Sequence, residues 1–569
     1  MESLRSAVRR YRPAGHVDLP DRSWPDRQVT TAPRWLSTDL RDGNQSLVNP
    51  MSPARKLQMF RLLVDMGYRE IEVGFPVASR DDHDFLRMLI EKDLIPDTVR
   101  ISVLTQARDD LIRETVQSLV GAPRATVHIY NATSPLFRRV VLGVDRAGCR
   151  HLAVHGTRLL MKYAEESLAD CDLGYEYSPE MFNDTEPDFA LEVCEAVMDV
   201  WQPGTDRPII LNFPTTVERT MPNVFADRIE WLDRNLTRRE HVCLSVHPHN
   251  DRGTGVATAE LAVLAGAQRI EGCLFGNGER AGNVDLVTLG LNLFSQGIDP
   301  EIDFSDLNRI RRVAEHCTGL PVHPRHPYGG DLVYTAFSGS HQDAINKGFT
   351  EQGRLAETGA EPVWDIPYLP VDPQDVGRTY ESVVRINSQS GKGGIAYVLS
   401  TRLGLHPPRE LQMEFARVVQ SHADGEGGEI DPDRICALFR DGYMSGSLMA
   451  VPLSFSDLVP AYLHVDGAAF TVGGERTEEL DRIRRALARW SIDVRAVHRT
   501  GTALADSAGL AVYAELRVGG DTLWGVGVEA DLAAAVSAAV RSAVARTGRA
   551  PAAAPPATRV LPPRYARTG

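Results

Sequence analysis

The chain of 569 residues contains no apolar run that approaches the ~18 residues needed to cross a bilayer. Its first residues, MESLRSAVRRYRPAG, also lack the apolar core of a secretory signal peptide. We therefore expect a cytoplasmic protein that does not span a membrane.

Positive charge is in deficit, because 62 Lys and Arg residues face 76 Asp and Glu residues and the net charge is -14. Nucleic acids and anionic membrane surfaces are bound through basic patches. The charge balance therefore argues against both kinds of partner and favours small-molecule substrates.

Cysteines are few and scattered, with seven in the chain and no C-x-x-C pair among them. An odd number without paired spacing indicates neither a disulfide framework nor a thiolate zinc site. We expect reduced and mostly buried thiols.

Hydrophobic residues make up 43% of the chain and charged residues 24%, which are ordinary values for a globular protein. From Pro33 onward, short β-rich runs alternate with helical stretches. The predicted strands are 34–38, 69–74, 99–104, 125–130, 174–178, 208–213, 241–246 and 269–275. Eight β-α units within about 290 residues predict an α/β fold of the (β/α)8 TIM-barrel type, with a doubly wound sheet as the weaker alternative.

The remainder of the chain divides into smaller parts around this barrel. We predict small α/β linker subdomains, then a compact C-terminal α+β domain, then an Ala/Pro-rich disordered tail. The predicted bounds are 1–30 for an N-terminal arm, 31–325 for the barrel, 326–445 for the linker subdomains, 460–547 for the C-terminal domain and 548–569 for the tail.

Polar side chains follow nearly every predicted strand. In a TIM barrel the active site lies at the carboxyl ends of the strands, so these side chains are candidates for function. They are Asp39, Arg41, Asp42, Gln45, Glu72, His128, Tyr130, Ser178, Glu180, Asn212 and Thr216.

The densest signal is His247-Pro248-His249-Asn250-Asp251, directly after the seventh strand. Two histidines at i and i+2 on extended backbone point to the same face, so both imidazoles can reach one cation. A carboxylate from Asp42 would complete a set that leaves positions open for substrate and water, as catalytic metal sites do. A buried histidine pair without a metal is the alternative that any lone H-x-H motif carries.

A glycine-rich segment, Gly276-Asn277-Gly278-Glu279-Arg280-Ala281-Gly282-Asn283, follows the eighth strand. Its glycine spacing does not match the dinucleotide-binding fingerprint. A flexible turn and a pocket wall formed by Asn283 and the glycine backbone are both compatible with it.

Several of these blocks, in this order, resemble the 2-isopropylmalate synthase family, and particularly its actinobacterial-like branch. The segments that carry the resemblance span about residues 33–445 and include STDLRDGNQSL, EVGFP, VHIYNATSP, EYSPE, HPHNDRGTG, GNGERAGNVDL, FSGSHQDAINKG and NSQSGKGG. The resemblance implies an acyltransferase that condenses acetyl-CoA with 3-methyl-2-oxobutanoate in leucine biosynthesis.

By resemblance, each candidate residue receives a role. Asp42, His247 and His249, with Asn283 close by, would bind a divalent ion such as magnesium, manganese or zinc. The implied catalytic residues are Arg41, Glu180, His341 and Tyr368. The implied substrate pocket is formed by Leu104, His128, Tyr130, Ser178, Pro214 and Thr216.

The resemblance weakens toward the C-terminus. The family's regulatory domain binds leucine at a dimer interface, which implies a homodimer, and TLWGVGVEADL is retained here. Near Val472, however, VGGERTEEL replaces the family's Gly-Asn-Gly-Pro turn, so leucine feedback does not follow from this sequence. Three alternatives remain: a related enzyme that uses another 2-oxo acid, a metal-dependent hydrolase, and a catalytically inactive paralogue.

Overall fold

The structure is a computed structural model in which two compact units are described separately. The first comprises the chain to Val333 together with 371–379, and the second comprises 334–370 and the chain from Tyr380. The described residues are 15, 17–336, 339–359, 363–378, 386–387, 392–426, 429–430, 432–444, 492–499, 509–518, 521–530 and 532–546.

The first unit is built on eight parallel strands that close into a barrel in chain order, β1 to β8, with β8 paired to β1. The strands are β1 Arg34–Ser37, β2 Glu70–Gly74, β3 Arg100–Gln106, β4 Arg124–Ala132, β5 Asp172–Glu180, β6 Ile209–Pro214, β7 Val242–His247 and β8 Arg269–Gly272. The predicted (β/α)8 fold and its eight strands are therefore confirmed, with ends that differ by a few residues.

Helices cover the outside of the barrel. The longer ones are Pro53–Asp65, Arg80–Glu91, Asp109–Ser118, Arg146–Ser167, Pro187–Trp201, Pro222–Asn235, Gly255–Leu264, Leu286–Ser295 and Leu307–Thr318. Ser52, Ser79 and Asp145 each accept a hydrogen bond from a backbone N–H in the first turn, which explains why these helices begin there.

Residues of alternating character give the barrel strands two different faces. Val127 and Ile129 on β4 are fully buried apolar residues, and the intervening His128 reaches Ser178 on β5. Arg269 on β8 bonds Glu176 on β5, which is possible only if both side chains point into the barrel. The period of two thus places apolar residues toward the helices and polar residues in the interior.

Part of the N-terminal segment is bonded to the outside of this barrel. Arg22 pairs with Asp227 at 2.8 Å, and the Ser23 N–H donates to Glu230 at 2.9 Å. Both acceptors lie on helix Pro222–Asn235, so the described part of the predicted arm contacts its own chain.

Where the structure describes the second unit, it contains helices and two small sheets. Its helices are Gly339–Glu357, Lys392–Leu403, Arg409–Glu426, Pro432–Phe439 and Leu532–Ala545, and its strands are β9 Ile386–Asn387, β10 Glu429–Ile430, β11 Ile492–Arg499, β12 Leu510–Val518 and β13 Asp521–Glu529. β11, β12 and β13 form one antiparallel sheet. Ala511, Tyr513, Trp524 and Val526 share an apolar core with the helices between 392 and 443.

One face of this sheet lies against helix Leu532–Ala545 at very short range. A Cβ added at Gly525 would lie 2.0 Å from the carbonyl oxygen of Ala539, and one at Gly527 would lie 2.1 Å from that of Ala535. The glycines therefore permit backbone contact that no larger residue allows.

Some predictions fall outside the described residues, namely the strand-like run 468–474, the helical run 478–490, the departure near Val472 and the tail 548–569. The predicted domain bounds stay predictions.

All seven cysteines are free thiols, and all but Cys171 are buried. Among the described residues, no helix combines the length and the apolar character required to cross a membrane.

Candidate active site

The first candidate residues come from the chain directly after β1. A short helix, Asp42–Gln45, begins there and buries Asp42 and Asn44. Gly43 in this turn is tightly enclosed, because a Cβ would lie 3.1 Å from both Asn277 Nδ2 and Cys273 Sγ. The loop after β8 thus holds this turn at the carboxyl end of the barrel.

The histidine pair follows β7, which ends at His247. The extended backbone continues beyond the strand and pairs with the glycine-rich loop after β8. His249 forms an antiparallel bridge with Asn283, and the Val284 N–H donates to the Pro248 carbonyl at 2.8 Å. This pairing brings Asn283 beside both histidines.

The side chains of Asp42, His247 and His249 converge, with one potential ligand atom from each within 4.8 Å of the others. The Nε2 atoms of His247 and His249 lie 3.2 and 3.7 Å from Asp42 Oδ2. Asn283 adds a neutral oxygen, since its Oδ1 lies 3.1 Å from His247 Nε2. Two imidazole nitrogens and two oxygens on buried side chains fit a divalent cation that keeps open positions.

Charges in this group are strongly coupled. Burial lowers the pKa of His247, but bonds to Asp42 and Glu271 outweigh burial and raise that pKa to about 10. Burial and the charge of His247 lower the pKa of His249 to about 3. Burial opposes ionisation of Asp42, yet Arg41 and the two histidines hold its pKa well below the ordinary value. The group therefore holds an ionised carboxylate, a neutral imidazole and one positive charge that a bound cation would replace.

Arg41 lies beside this group and is itself buried. Its NH1 atom is 2.9 Å from Asp42 Oδ1, and its Nε donates to Glu72. Burial alone would lower the pKa of Arg41, but these two carboxylates raise it above the ordinary value. A permanently charged and firmly held guanidinium therefore faces the same space as the proposed metal ligands.

The opposite wall carries a chain of hydrogen bonds between side chains. His128 bonds Glu72 through Nδ1 at 2.9 Å and Ser178 Oγ through Nε2 at 2.7 Å. Asn212 Nδ2 donates to the same Ser178 oxygen at 2.9 Å. Tyr130 accepts a bond from Gln106 at 3.1 Å. These contacts fix the polar groups of this wall in defined positions.

Glu180 is a carboxyl group that lines the cavity at the carboxyl end of β5. Burial raises its pKa, while the positive charge of Arg41 acts in the opposite direction. A raised pKa is the property expected of a carboxylate that accepts a proton during catalysis.

A cavity of about 280 Å³ connects these walls. The residues predicted from the sequence that line it are Arg41, Asp42, Leu104, His128, Tyr130, Ser178, Glu180, Pro214, Thr216, His247 and His249. Residues outside the assigned site also line it, namely Gln45, Phe75, Asn212, Glu279 and Arg280. All five lie in segments that the sequence analysis singled out, and Phe75 belongs to the EVGFP segment at the end of β2.

His341 and Tyr368 belong to the second unit, and the structure brings the two side chains together. Their rings stack with centroids 4.0 Å apart. Tyr368 is 60% exposed and has a φ of 66°, a left-handed conformation that is costly for a bulky residue. An exposed aromatic side chain held in a strained conformation is typical of a residue kept for function.

The chain is similar to two protein families and to several known enzymes. Residues 32–314 match the HMGL-like family, and residues 331–400 match the family described as alpha-isopropylmalate synthase, post-catalytic domain-like. A 2-isopropylmalate synthase of Streptosporangium roseum is 66% identical over 99% of this chain and 99% of its own length. That of Thermobifida fusca is 60% identical over 94% of this chain and 97% of its own length. The enzyme of that name in Cupriavidus taiwanensis is 53% identical over 94% and 95% of the two chains.

Proposed function

Since this chain belongs to the 2-isopropylmalate synthase family, we propose that it condenses acetyl-CoA with 3-methyl-2-oxobutanoate to give 2-isopropylmalate and CoA. The observation that carries the proposal is the convergence of Asp42, His247 and His249 with Arg41 in a single cavity at the barrel mouth. The reaction involves the ketone and the carboxylate of the oxo acid and a proton of the acetyl methyl group. The charges on these groups must be stabilised, and the four residues are charged or polar side chains that can do so.

The metal would be held by Asp42, His247 and His249, with Asn283 beside them. A divalent cation at this position supplies Lewis acidity toward the ketone and carboxylate of the oxo acid. The donor set suits magnesium, manganese or zinc.

Arg41 would act on the charge that develops during carbon–carbon bond formation. As the acetyl methyl attacks the ketone carbon, the ketone oxygen becomes an alkoxide. The Arg41 guanidinium is already oriented by Glu72 and Asp42, so it stabilises this negative charge without having to reorganise.

A base must first remove a proton from the acetyl methyl. Glu180 faces the cavity with a raised pKa, which makes it one candidate for this role. His341 is the other candidate by the resemblance of its segment to the family, with Tyr368, whose ring stacks on that of His341, assisting. Atom balance further requires one water to hydrolyse the thioester and release CoA.

The wall formed by His128, Ser178 and Leu104 would receive the branched side chain of the oxo acid, together with Tyr130, Pro214 and Thr216. Discrimination between side chains that differ by a methylene amounts to only about 1–3 kcal/mol. We therefore expect related 2-oxo acids to be slower substrates of the same site.

Thiol release from acetyl-CoA, measured with a panel of 2-oxo acids, tests the proposal. We expect the highest kcat/KM with 3-methyl-2-oxobutanoate, and mass spectrometry should identify 2-isopropylmalate as the product. A higher kcat/KM with another 2-oxo acid would assign the chain to a related activity. No release with any acid would contradict the condensation itself.

Two further properties, the homodimer and the cytoplasmic location, stay predictions. Leucine feedback does not follow from the sequence, because of the departures near Val472.

A further inference from the structure

A layer of fully buried charged side chains lies inside the barrel beneath the cavity. Arg269 is at its centre and is 0% exposed, as are Glu176 and Glu271. Its guanidinium contacts Glu271 Oε1 at 2.9 Å, Glu176 Oε2 at 3.0 Å and Glu70 Oε2 at 3.0 Å. One cation is therefore surrounded by carboxylates, two of which come from β8 and β5.

Glu271 differs from Glu176 in what its second oxygen contacts. Oε1 of Glu271 accepts from Arg269 and from Ser245 Oγ at 3.0 Å. This leaves Oε2 free to bond His247 Nδ1 at 2.9 Å. Glu176 instead approaches His128 Nδ1 at 3.6 Å, which is too long for a hydrogen bond.

The two histidines at the mouth are held unequally as a result. His247 is bonded through Nδ1 to Glu271, and its Nε2 points at Asp42 and Asn283. His249 Nδ1 is buried and has no hydrogen-bond partner within the described part of the chain. Among the described residues, His247 therefore differs from His249 in having a carboxylate bonded to its Nδ1 atom, which fixes the orientation of the ring.

We propose that Glu271 is a positioning residue for the metal site, acting through His247; this inference rests on the metal site of the proposed function. A neutral imidazole that binds a cation through Nε2 carries its proton on Nδ1, and a carboxylate that accepts this proton fixes both the tautomer and the ring. Arg269 and Ser245 hold Glu271 in place from the other side. Arg269 thus helps to orient Glu271, and Glu271 orients His247.

The competing explanation is that Glu271 only neutralises Arg269 in the interior. Glu176 provides the matched control, because it is equally buried and also bonds Arg269, and although it contacts Glu271 it bonds no proposed metal ligand. If neutralisation is the only role, Glu271→Gln and Glu176→Gln should behave alike. If Glu271 positions His247, only Glu271→Gln should affect the metal.

The test is isothermal titration of Mn²⁺ into metal-free full-length chains, with thermal unfolding measured on the same samples. We expect the Kd for Mn²⁺ to rise roughly 10- to 100-fold in Glu271→Gln. In Glu176→Gln the Kd should stay close to that of the parent chain, although both variants lose thermal stability. Equal Kd values in Glu271→Gln and the parent chain would overturn the inference, as would an equal rise in both variants.

A second pair covers the case in which the glutamine variants do not fold. Glu271→Asp and Glu176→Asp keep the charge beside Arg269 but shorten the side chain, so Glu271→Asp loses its reach to His247 and should again weaken Mn²⁺ binding selectively. A parent chain that binds no Mn²⁺ would contradict the proposed metal site itself. Equal Kd values for Mn²⁺ in Glu271→Asp and in the parent chain would refute the positioning role of Glu271 but not the metal site.

Discussion

The two walls of the cavity are built from different interactions. On the metal wall, Arg41, Asp42 and His247 are ionic groups that are paired with one another or with buried carboxylates. On the opposite wall, His128 and Ser178 take part in side-chain hydrogen bonds, and Leu104 is apolar.

We expect this difference to separate the residues that act on the reacting atoms from those that select the substrate. Buried charges act strongly on a reacting centre because little water screens them. Apolar and hydrogen-bonding contacts instead discriminate between substrates by shape, at lower energy. Changes to the metal wall should therefore abolish turnover, whereas changes to the opposite wall should redistribute it among substrates.

The largest effect should come from His249→Ala. Loss of one of three proposed ligands should remove both bound metal, measured by elemental analysis, and detectable turnover, measured by thiol release. His151→Ala is the matched control, since His151 is exposed on a barrel helix. Stoichiometric metal in purified His249→Ala would remove this residue from the site.

Arg41→Lys should have the next largest effect. Lysine retains a positive charge but not the planar fork that contacts Glu72 and Asp42, so we expect kcat to fall by about 10²-fold or more. The KM for the oxo acid should change less. A variant that loses only oxo-acid affinity would assign Arg41 to substrate binding, and Arg113→Lys on the surface controls for the substitution itself.

Leu104→Ala tests the opposite wall. The smaller side chain enlarges the pocket, so the ratio of kcat/KM for 4-methyl-2-oxopentanoate to that for 3-methyl-2-oxobutanoate should rise by about 10-fold or more. Affinity for the metal should not change. If metal affinity falls as well, the two walls are not independent.

The smallest effect should appear in Asp39→Asn, as a dependence of stability on pH. Burial is the main cause that raises the pKa of Asp39 from 3.8 to about 7. Between pH 3.8 and about 7, the Asp39 carboxyl binds its proton more tightly in the folded chain than in the unfolded chain. The contribution of Asp39 to the free energy of unfolding therefore falls as the pH rises through this range.

Asparagine does not titrate and can still accept the Leu274 N–H, which Asp39 accepts at 3.1 Å. The melting temperature of Asp39→Asn relative to the parent chain should therefore be higher at pH 8 than at pH 5. The exposed Asp170→Asn should show no such trend. A difference that is independent of pH would show that Asp39 does not titrate in this range.

The sequence predicted the barrel because strand and helix periods alternate strongly along residues 34–314. It also predicted Asp42, His247 and His249, since a same-face histidine pair at a strand end has few other uses. Glu271 was not predicted. Its only signal in the sequence is its alternation with Arg269 on β8. Its role depends on contacts of these two residues with Glu176 on β5 and His247 on β7, which the sequence alone does not reveal.

The second unit was less predictable for a local reason. β11 was not predicted, because apolar residues alternate in IDVRAVHR over only three positions, Ile492, Val494 and Ala496. The register of its pairing with β12 also shifts between Val494 and Ala496. β12, β13 and helix Leu532–Ala545 were predicted from the strand-like runs at 510–518 and 522–529 and the helical run at 531–546. The contact of Gly525 and Gly527 with that helix could not be predicted, since it depends on how the two elements pack.

The central claim is that condensation depends on a metal held by Asp42, His247 and His249. The most direct test is to remove all metal with a chelator and then to titrate Mn²⁺, Mg²⁺ or Zn²⁺ back while CoA release from acetyl-CoA and 3-methyl-2-oxobutanoate is measured. We predict that the metal-free chain is inactive and that at least one of these ions restores turnover, with saturation at one ion per chain. Full turnover by a chain verified as metal-free would contradict the account.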